Sequence, residues 1–231
     1  MNSITAPLIL AIETATSACS VALLADGTRH QQSQIGNNIH SRVLLTMVQA
    51  VLQEAQVGAH EIDAVAVGQG PGSFTGIRIG VGVAQGLAFG AGCPIIGISS
   101  LDALARQSTV DGKVIAGIDA RMGEVYWCEY LKSGRTVSRQ TALQLSAPGA
   151  IRISGPDSFA LVGNAWAEYQ EEFDDKLLAR GVHLQDIRWP GATALLDLAE
   201  TKFALRDWVA AGDFVPEYLR DDVAKKPSVG N

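Results

Sequence analysis

IDAVAVGQGPGSFTGIRIGVGVAQGLAFG, residues 62–90, joins a short apolar run to a glycine-rich turn and then to a long apolar segment. Ala64 to Val67 is apolar without alternation and ends at Gly68, which predicts a buried strand over 62–67. Gly68-Gln69-Gly70-Pro71-Gly72 lets the backbone take positive φ and approach a neighbour closely, and Ser73 or Thr75 is placed to cap a helix over 74–89. A strand, a glycine turn and a helix N-terminus also make an anion site, because free amides and the helix dipole converge there. Gly68-x-Gly70-x-x-Ser73 is not a full dinucleotide fingerprint, however, and the first lysine in the chain is Lys113, far from any Walker position. Two readings therefore stand: a phosphate loop using Gly70, Gly72 and Ser73, or a tight turn closing a strand onto a helix.

The helix that follows carries Gly72, Gly76 and Gly80 at spacing four, then Gly82, Gly86 and Gly90 at spacing four again. Each glycine costs about 0.8 to 1 kcal/mol relative to alanine, so close backbone contact must offset the loss. Arg78, Gln85, Pro94 and the low hydrophobicity of glycine argue against a membrane helix. Packing inside a domain, or against a partner helix, is the expectation.

With 231 residues, 47% of them apolar, the chain can build one large domain or two small ones. A net charge of −6 opposes independent binding to nucleic acid. Cys19, Cys93 and Cys128 form no metal pattern and suit a reducing compartment, and MNSITAPLILAIE lacks a basic, long-apolar secretory signal, which points to the cytoplasm. His30, His40, His60 and His183 show no metal spacing, so no metal site and no cofactor are expected, and His40 reads as a surface residue in a first helical turn.

In chain order, strands are expected over 8–12 and 21–24, joined by the polar turn Glu13-Thr14-Ala15-Thr16-Ser17-Ala18, with a further hairpin at Asp26-Gly27. An acid at a strand end followed by hydroxyls is how sugar kinases and actin-like ATPases hold magnesium phosphate; the plainer reading is a hairpin whose Thr14 and Ser17 satisfy their own backbone. Asn37 or Asn38 is placed to cap a helix over 39–55, whose Ile39, Val43, Leu44, Met47, Val48, Val51 and Leu52 recur at helical spacing. A strand over 94–98, a helix over 100–107 capped by Ser99 and a polar break at 108–112 follow, and the break is taken as a domain boundary. Residues 114–118 then run into Asp119-Ala120-Arg121 and a hairpin partner over 124–131, repeating the strand, acid, turn, strand order of the opening and suggesting a duplicated α/β architecture. Beyond lie a strand over 159–162 entering a helix, five acids within 168–175 read as a solvated face, a helix over 193–205 capped by Thr193, an extended segment over 216–220 and a polar end from Asp221. No Gly-x-Ser-x-Gly elbow occurs, and Asp119 with Glu124 offers no assured carboxylate pair.

These residues resemble a family. Ile12-Glu13-Thr14 with Cys19-Ser20-Val21-Ala22, the block from Gly68 through GPGSFTGIR to Gly80, and Pro216-Glu217-Tyr218-Leu219-Arg220 are similar to the TsaB family, also called YeaZ, over nearly the full chain. The resemblance implies a two-lobed actin-like fold of the actin, Hsp70 and sugar-kinase superfamily, ribonuclease H-like with a mixed sheet in each lobe. Lobes over 1–108 and 109–231 follow, with a C-terminal helix around 193–220 free to return to the first.

The implied role is that of an accessory subunit that is no enzyme on its own. It would bind and activate TsaD, help recruit the ATPase TsaE, and serve formation of N6-threonylcarbamoyladenosine at position 37 of tRNAs reading codons that begin with A. Homodimerisation is expected when TsaD is absent, tRNA contact only through the complex, and no membrane. TsaD carries an HxxxH metal pair where this chain has Ser100 and Leu104, neither able to hold iron or zinc, which also disfavours a peptidase. The resemblance further implies pairing through the first two long helices, with Ile39, Val43, Met47, Gly76, Gly80, Gly82, Gly86 and Gly90 at the surface. The competing reading is a stand-alone ATP-using enzyme with Glu13, Thr14 and Asp119 around magnesium phosphate.

Overall fold

A computed structural model describes residues 7–219. Two mixed sheets organise them, as the α/β expectation requires. The first contains β1 (Ile9–Glu13), β2 (Ala18–Ala25), β3 (Thr28–Ile35), β4 (Ala64–Gly68) and β5 (Ile95–Ile98) in the order β3-β2-β1-β4-β5. β1 pairs antiparallel with β2 and parallel with β4. The second contains β6 (Gly112–Arg121), β7 (Glu124–Ser133), β8 (Thr136–Arg139), β9 (Gln144–Ser146), β10 (Phe159–Val162) and β11 (Gly181–His183), ordered β11-β10-β6-β7-β8 with β9 on β7. Each sheet is a three-strand meander extended by two parallel strands, so the repeat legible at Glu13 and Asp119 extends to the whole topology.

β1 is buried on both faces, which is why it reads as an unbroken apolar run. Leu10 and Ile12 point into one core with α1 (His40–Ala55) and α2 (Phe74–Ala91), against Leu44, Val48, Val51, Ile77 and Val81. Each such side chain contributes about 1.5 to 3 kcal/mol on burial. Ile9 and Ala11 point into the opposite core, closed by Leu195, Leu196 and Ala199 of α6 (Ala192–Ala204). α3 (Ser100–Arg106) serves both halves: Ala103 joins this second core, while Leu101 and Leu104 pack on β6, β7 and β10. Trp166 of α4 (Ala165–Glu168) and Leu177 of α5 (Asp175–Arg180) cover the far face of the second sheet.

Polar clamps fasten the parts. Asp197 of α6 accepts Arg29 of β3 at 2.6 Å, Arg106 of α3 at 2.6 Å and Arg135 beside β8 at 2.8 Å. Asp102 of α3 receives Tyr130 at 2.8 Å and both arms of Arg139 at 2.7 and 2.8 Å.

Several local expectations are corrected. α1 begins after Ile39 with no side-chain cap, because Asn38 takes a left-handed φ of 56° instead of a capping conformation. Thr193 does not cap α6; Gly191 holds that position and Thr193 Oγ1 donates to Gln31 Oε1 at 2.6 Å. Ser99 holds the N-cap position of α3 but its Oγ is buried without a partner. The acids over 168–175 are exposed as expected, yet Phe173 among them packs on Trp166 at 4.9 Å. β8, β9, β11 and α5 lie where no element was expected, and residues 216–219 run without regular structure. Arg220 and the polar end from Asp221 lie outside the described residues. Among the described residues no helix is long and apolar enough to cross a membrane.

Candidate functional site

The glycine turn after β4 packs down onto the turn between β1 and β2. A side chain at Gly68 would run into the Glu13 carboxylate, and one at Gly72 into the Ala15 carbonyl. Ser73 N donates to Ala15 O at 2.7 Å, while Ser73 Oγ caps α2 by accepting from Gly76 N at 3.2 Å. Glu13 is wholly buried, its Oε1 accepting from Ala15 N at 2.7 Å and its Oε2 from Ser100 Oγ at 2.9 Å. Burial dominates these hydrogen bonds and raises its pKa from 4.5 to about 7. Thr14 is equally buried; its Oγ1 donates to Gly76 O at 2.8 Å and lies against Gly80.

A cleft of about 440 Å³ opens between the sheets, lined by Thr16, Ser17, Gly72, Ser73, Asp119 and Tyr218 among others. Of the phosphate-loop candidates, Gly72, Ser73 and Asp119 reach its wall, and Glu13, Thr14 and Gly70 do not. Asp119 accepts from Arg121 N at 2.7 Å and Tyr169 Oη at 2.6 Å, and pairs with Arg121 Nη1 at 3.1 Å. The structure thus separates the acids that the sequence placed in equivalent turns: one faces the cleft and one is sealed behind it. Among the described residues no group of three or more His, Cys, Asp or Glu side chains is placed to hold a metal.

Residues 33–228 match the family model described as TsaD: tRNA N6-adenosine threonylcarbamoyltransferase. The chain is 36% identical over 237 residues to the tRNA threonylcarbamoyladenosine biosynthesis protein TsaB of Haemophilus influenzae, covering 96% of this chain and 97% of that one. It is 39% identical over 233 residues to the Escherichia coli protein of the same name, with 96% and 98% covered. The solved structure of YeaZ from Pseudomonas aeruginosa superposes with a TM-score of 0.85 at 35% identity, over 92% of this chain and 100% of that one. The chain belongs to the TsaB family.

That membership fits the two-lobed actin-like fold seen in the paired mixed sheets. The resemblance set Ser100 and Leu104 at the positions of the TsaD metal pair, and both are fully buried, Ser100 bonded to Glu13 and Leu104 in the second-sheet core. The helix residues expected at a TsaB pairing surface divide sharply. Gly76 and Gly80 are buried against Thr14 of the same chain, so the first glycine series is accounted for internally. Gly82, Gly86 and Gly90 are exposed with nothing within 4 Å of a built Cβ. Ile39 and Met47 are buried in the core and Val43 is half-buried. Leu45 and Phe89, which the sequence reading did not select, stand exposed.

His40 is also corrected: it is buried and lines the cleft, and among the described residues its Nε2 has no hydrogen-bond partner. The sequence reading did not single out the stack of Arg78 on Phe74 and Tyr218: Phe74 and Arg78 lie four residues apart in one block, but Tyr218 comes from the distant segment over 216–220.

Proposed function

We propose that this chain is a non-catalytic subunit of the machinery that forms N6-threonylcarbamoyladenosine at position 37 of tRNAs reading codons that begin with A. In this reading it binds and activates TsaD, helps recruit TsaE, meets tRNA only within the complex, and works in the cytoplasm. The observation that carries the reading is the sealed turn of β1 and β2. Where actin-like ATPases present an acid and hydroxyls to magnesium phosphate, Glu13 and Thr14 are consumed by Ser100, Ala15 and Gly76 of the same chain. The names of the TsaB relatives give the pathway.

The surface assigned to TsaD, or to a second copy in its absence, is the outer side of α1 and α2, with Val43, Leu45, Gly82, Gly86, Phe89 and Gly90. A threonylcarbamoyl transfer assay with TsaD, TsaE, tRNA, threonylcarbamoyl adenylate and ATP tests the role. Turnover that requires this chain, with none from the chain alone, is expected; turnover indifferent to it overturns the reading. The cleft and its Asp119 favour a second reading, a stand-alone ATP-using enzyme, which lack of nucleotide binding by the isolated chain would dispose of.

A further inference from the structure

Two arginines stand on the outer side of α1 and α2 without a counterion among the described residues. Arg42 and Arg78 are exposed, and among the described residues neither has a carboxylate within 4.0 Å. Arg78 is nevertheless fixed in place. Its Cζ lies 3.3 Å from the centroid of the Phe74 ring and 5.4 Å from that of Tyr218, and the two rings are 5.8 Å apart. Cation–π attraction holds the guanidinium over the rings, and among the described residues no acceptor takes its fork of N–H donors, which makes it a preorganised partner for a carboxylate.

The surroundings add to the positive potential. Neither α1 nor α2 has an acid in its first turn, so both helix dipoles present uncompensated positive ends. Both ends open on the same cleft, through His40 and Ser41 of one helix and Phe74 and Thr75 of the other. The single acid on either helix, Glu54, lies in the last turn of α1 and is already engaged by Gln32 Nε2 at 2.8 Å. Asp119 and Glu217 also line that cleft, so on a chain of net charge −6 the local reversal of sign belongs to the outer faces of the two helices.

We propose that Arg42 and Arg78 anchor an acidic segment of a partner protein and fix its register along the open seam of Gly82 and Gly86. The inference rests on the assignment of this face to TsaD and adds the chemistry that the partner must bring. A second copy is a poorer occupant, since it offers two more arginines and one carboxylate that is already in use. Tight backbone approach at bare glycines supplies area without direction, and two cations near the N-termini of the helices, one of them fixed by its rings, supply the direction.

The test compares binding to TsaD, without tRNA, for the wild-type chain, the double variant Arg42→Glu/Arg78→Glu, and Val43→Glu. Wild-type affinity should fall as salt rises from roughly 0.05 M to 0.5 M. The charge reversal should weaken binding by about tenfold or more at low salt, with the difference shrinking at high salt. Both sites are exposed, so only a small fall in melting temperature, from loss of the Arg78 stack, is expected, and Arg42→Ala/Arg78→Ala should give a smaller loss of binding in the same direction. If Val43→Glu, folded by its circular dichroism spectrum, abolishes binding while the reversal leaves it intact, the anchor is wrong and the face stands. If Val43→Glu is harmless, the assignment of the face fails and the anchor with it. A reversal that weakens self-association and spares TsaD also overturns the proposal, giving the anchor to a second copy.

Discussion

Ser100 donates its hydroxyl proton to Glu13 Oε2 at 2.9 Å, and the pair is closed to solvent. A carboxyl group held this way titrates with the fold. Burial raises its folded pKa from 4.5 to about 7, so the native state binds the proton more tightly than the unfolded chain does.

The stability that this group contributes is therefore fully present below pH 4.5 and lost as pH rises to about 7. The expected size is on the order of 3 kcal/mol. Urea unfolding of the wild-type chain and Glu13→Gln across that window measures it. The stability of the wild type relative to the variant should fall as pH rises, and a difference independent of pH would refute the assignment.

The two glycine series predict opposite responses to one methyl group. Gly80→Ala places its Cβ onto Thr14 Oγ1 and should cost about 1 to 3 kcal/mol. Gly86→Ala meets open space and should stabilise the isolated chain by about 0.8 to 1 kcal/mol. Chemical denaturation of both variants decides, and equal stabilities would mean that the inward series is not tightly packed.

On the outer face, Val43→Glu or Gly86→Glu should abolish complex formation with TsaD. Gly86→Glu should leave the circular dichroism spectrum and melting temperature of the isolated chain near wild type, while Val43→Glu, half-buried against the core, should lower the melting temperature without unfolding the chain. Size-exclusion chromatography of the mixture reads the result. Co-elution of either folded variant with TsaD would move the interface elsewhere.

Removing the carboxylate at the centre of the arginine clamp leaves Arg106 without its carboxylate partner, while Arg29 and Arg135 keep Glu200. Asp197→Ala should cost about 2 kcal/mol, discounted from a fully buried pair because its partners are partly wetted. Arg135→Ala, at a side chain 68% exposed, should cost less than about 0.5 kcal/mol. Thermal unfolding separates the two, and similar losses would show that exposure does not govern this clamp.

The long elements were legible because their apolar period is strong. α1, α2 and β4 fall within two residues of the expected ranges, and β1 and β5 within one. The direction of the glycine seam was not legible. Gly80 and Gly82 differ by two residues, or about 200° around a helix, so the second series points away from the first, and a residue without a side chain gives no sign of which one faces inward. His40 was misread for a related reason: a first-turn position says nothing about which neighbour covers it. β9, β11 and α5 are too short for a period to register, and their places come from packing against β7, β10 and Phe159. In the candidate site, the turn chemistry of Glu13 and Asp119 was legible, whereas the placing of Asp119 at the cleft wall and Glu13 behind it depends on Ser100 and Gly68, distant in the chain from Glu13.

The return of α6 to the first sheet bears on biosynthesis. Ile9, Ala11, Ala64, Ala66, Ile96 and Ile98 are all made before residue 100, yet their cover of Leu195, Leu196 and Ala199 arrives roughly 5 to 20 s later at ordinary translation speeds. For that interval a nascent chain displays one bare apolar side of a finished sheet, a natural docking place for ribosome-associated chaperones. A stall within the second half would leave a fragment with a sticky, uncovered flank.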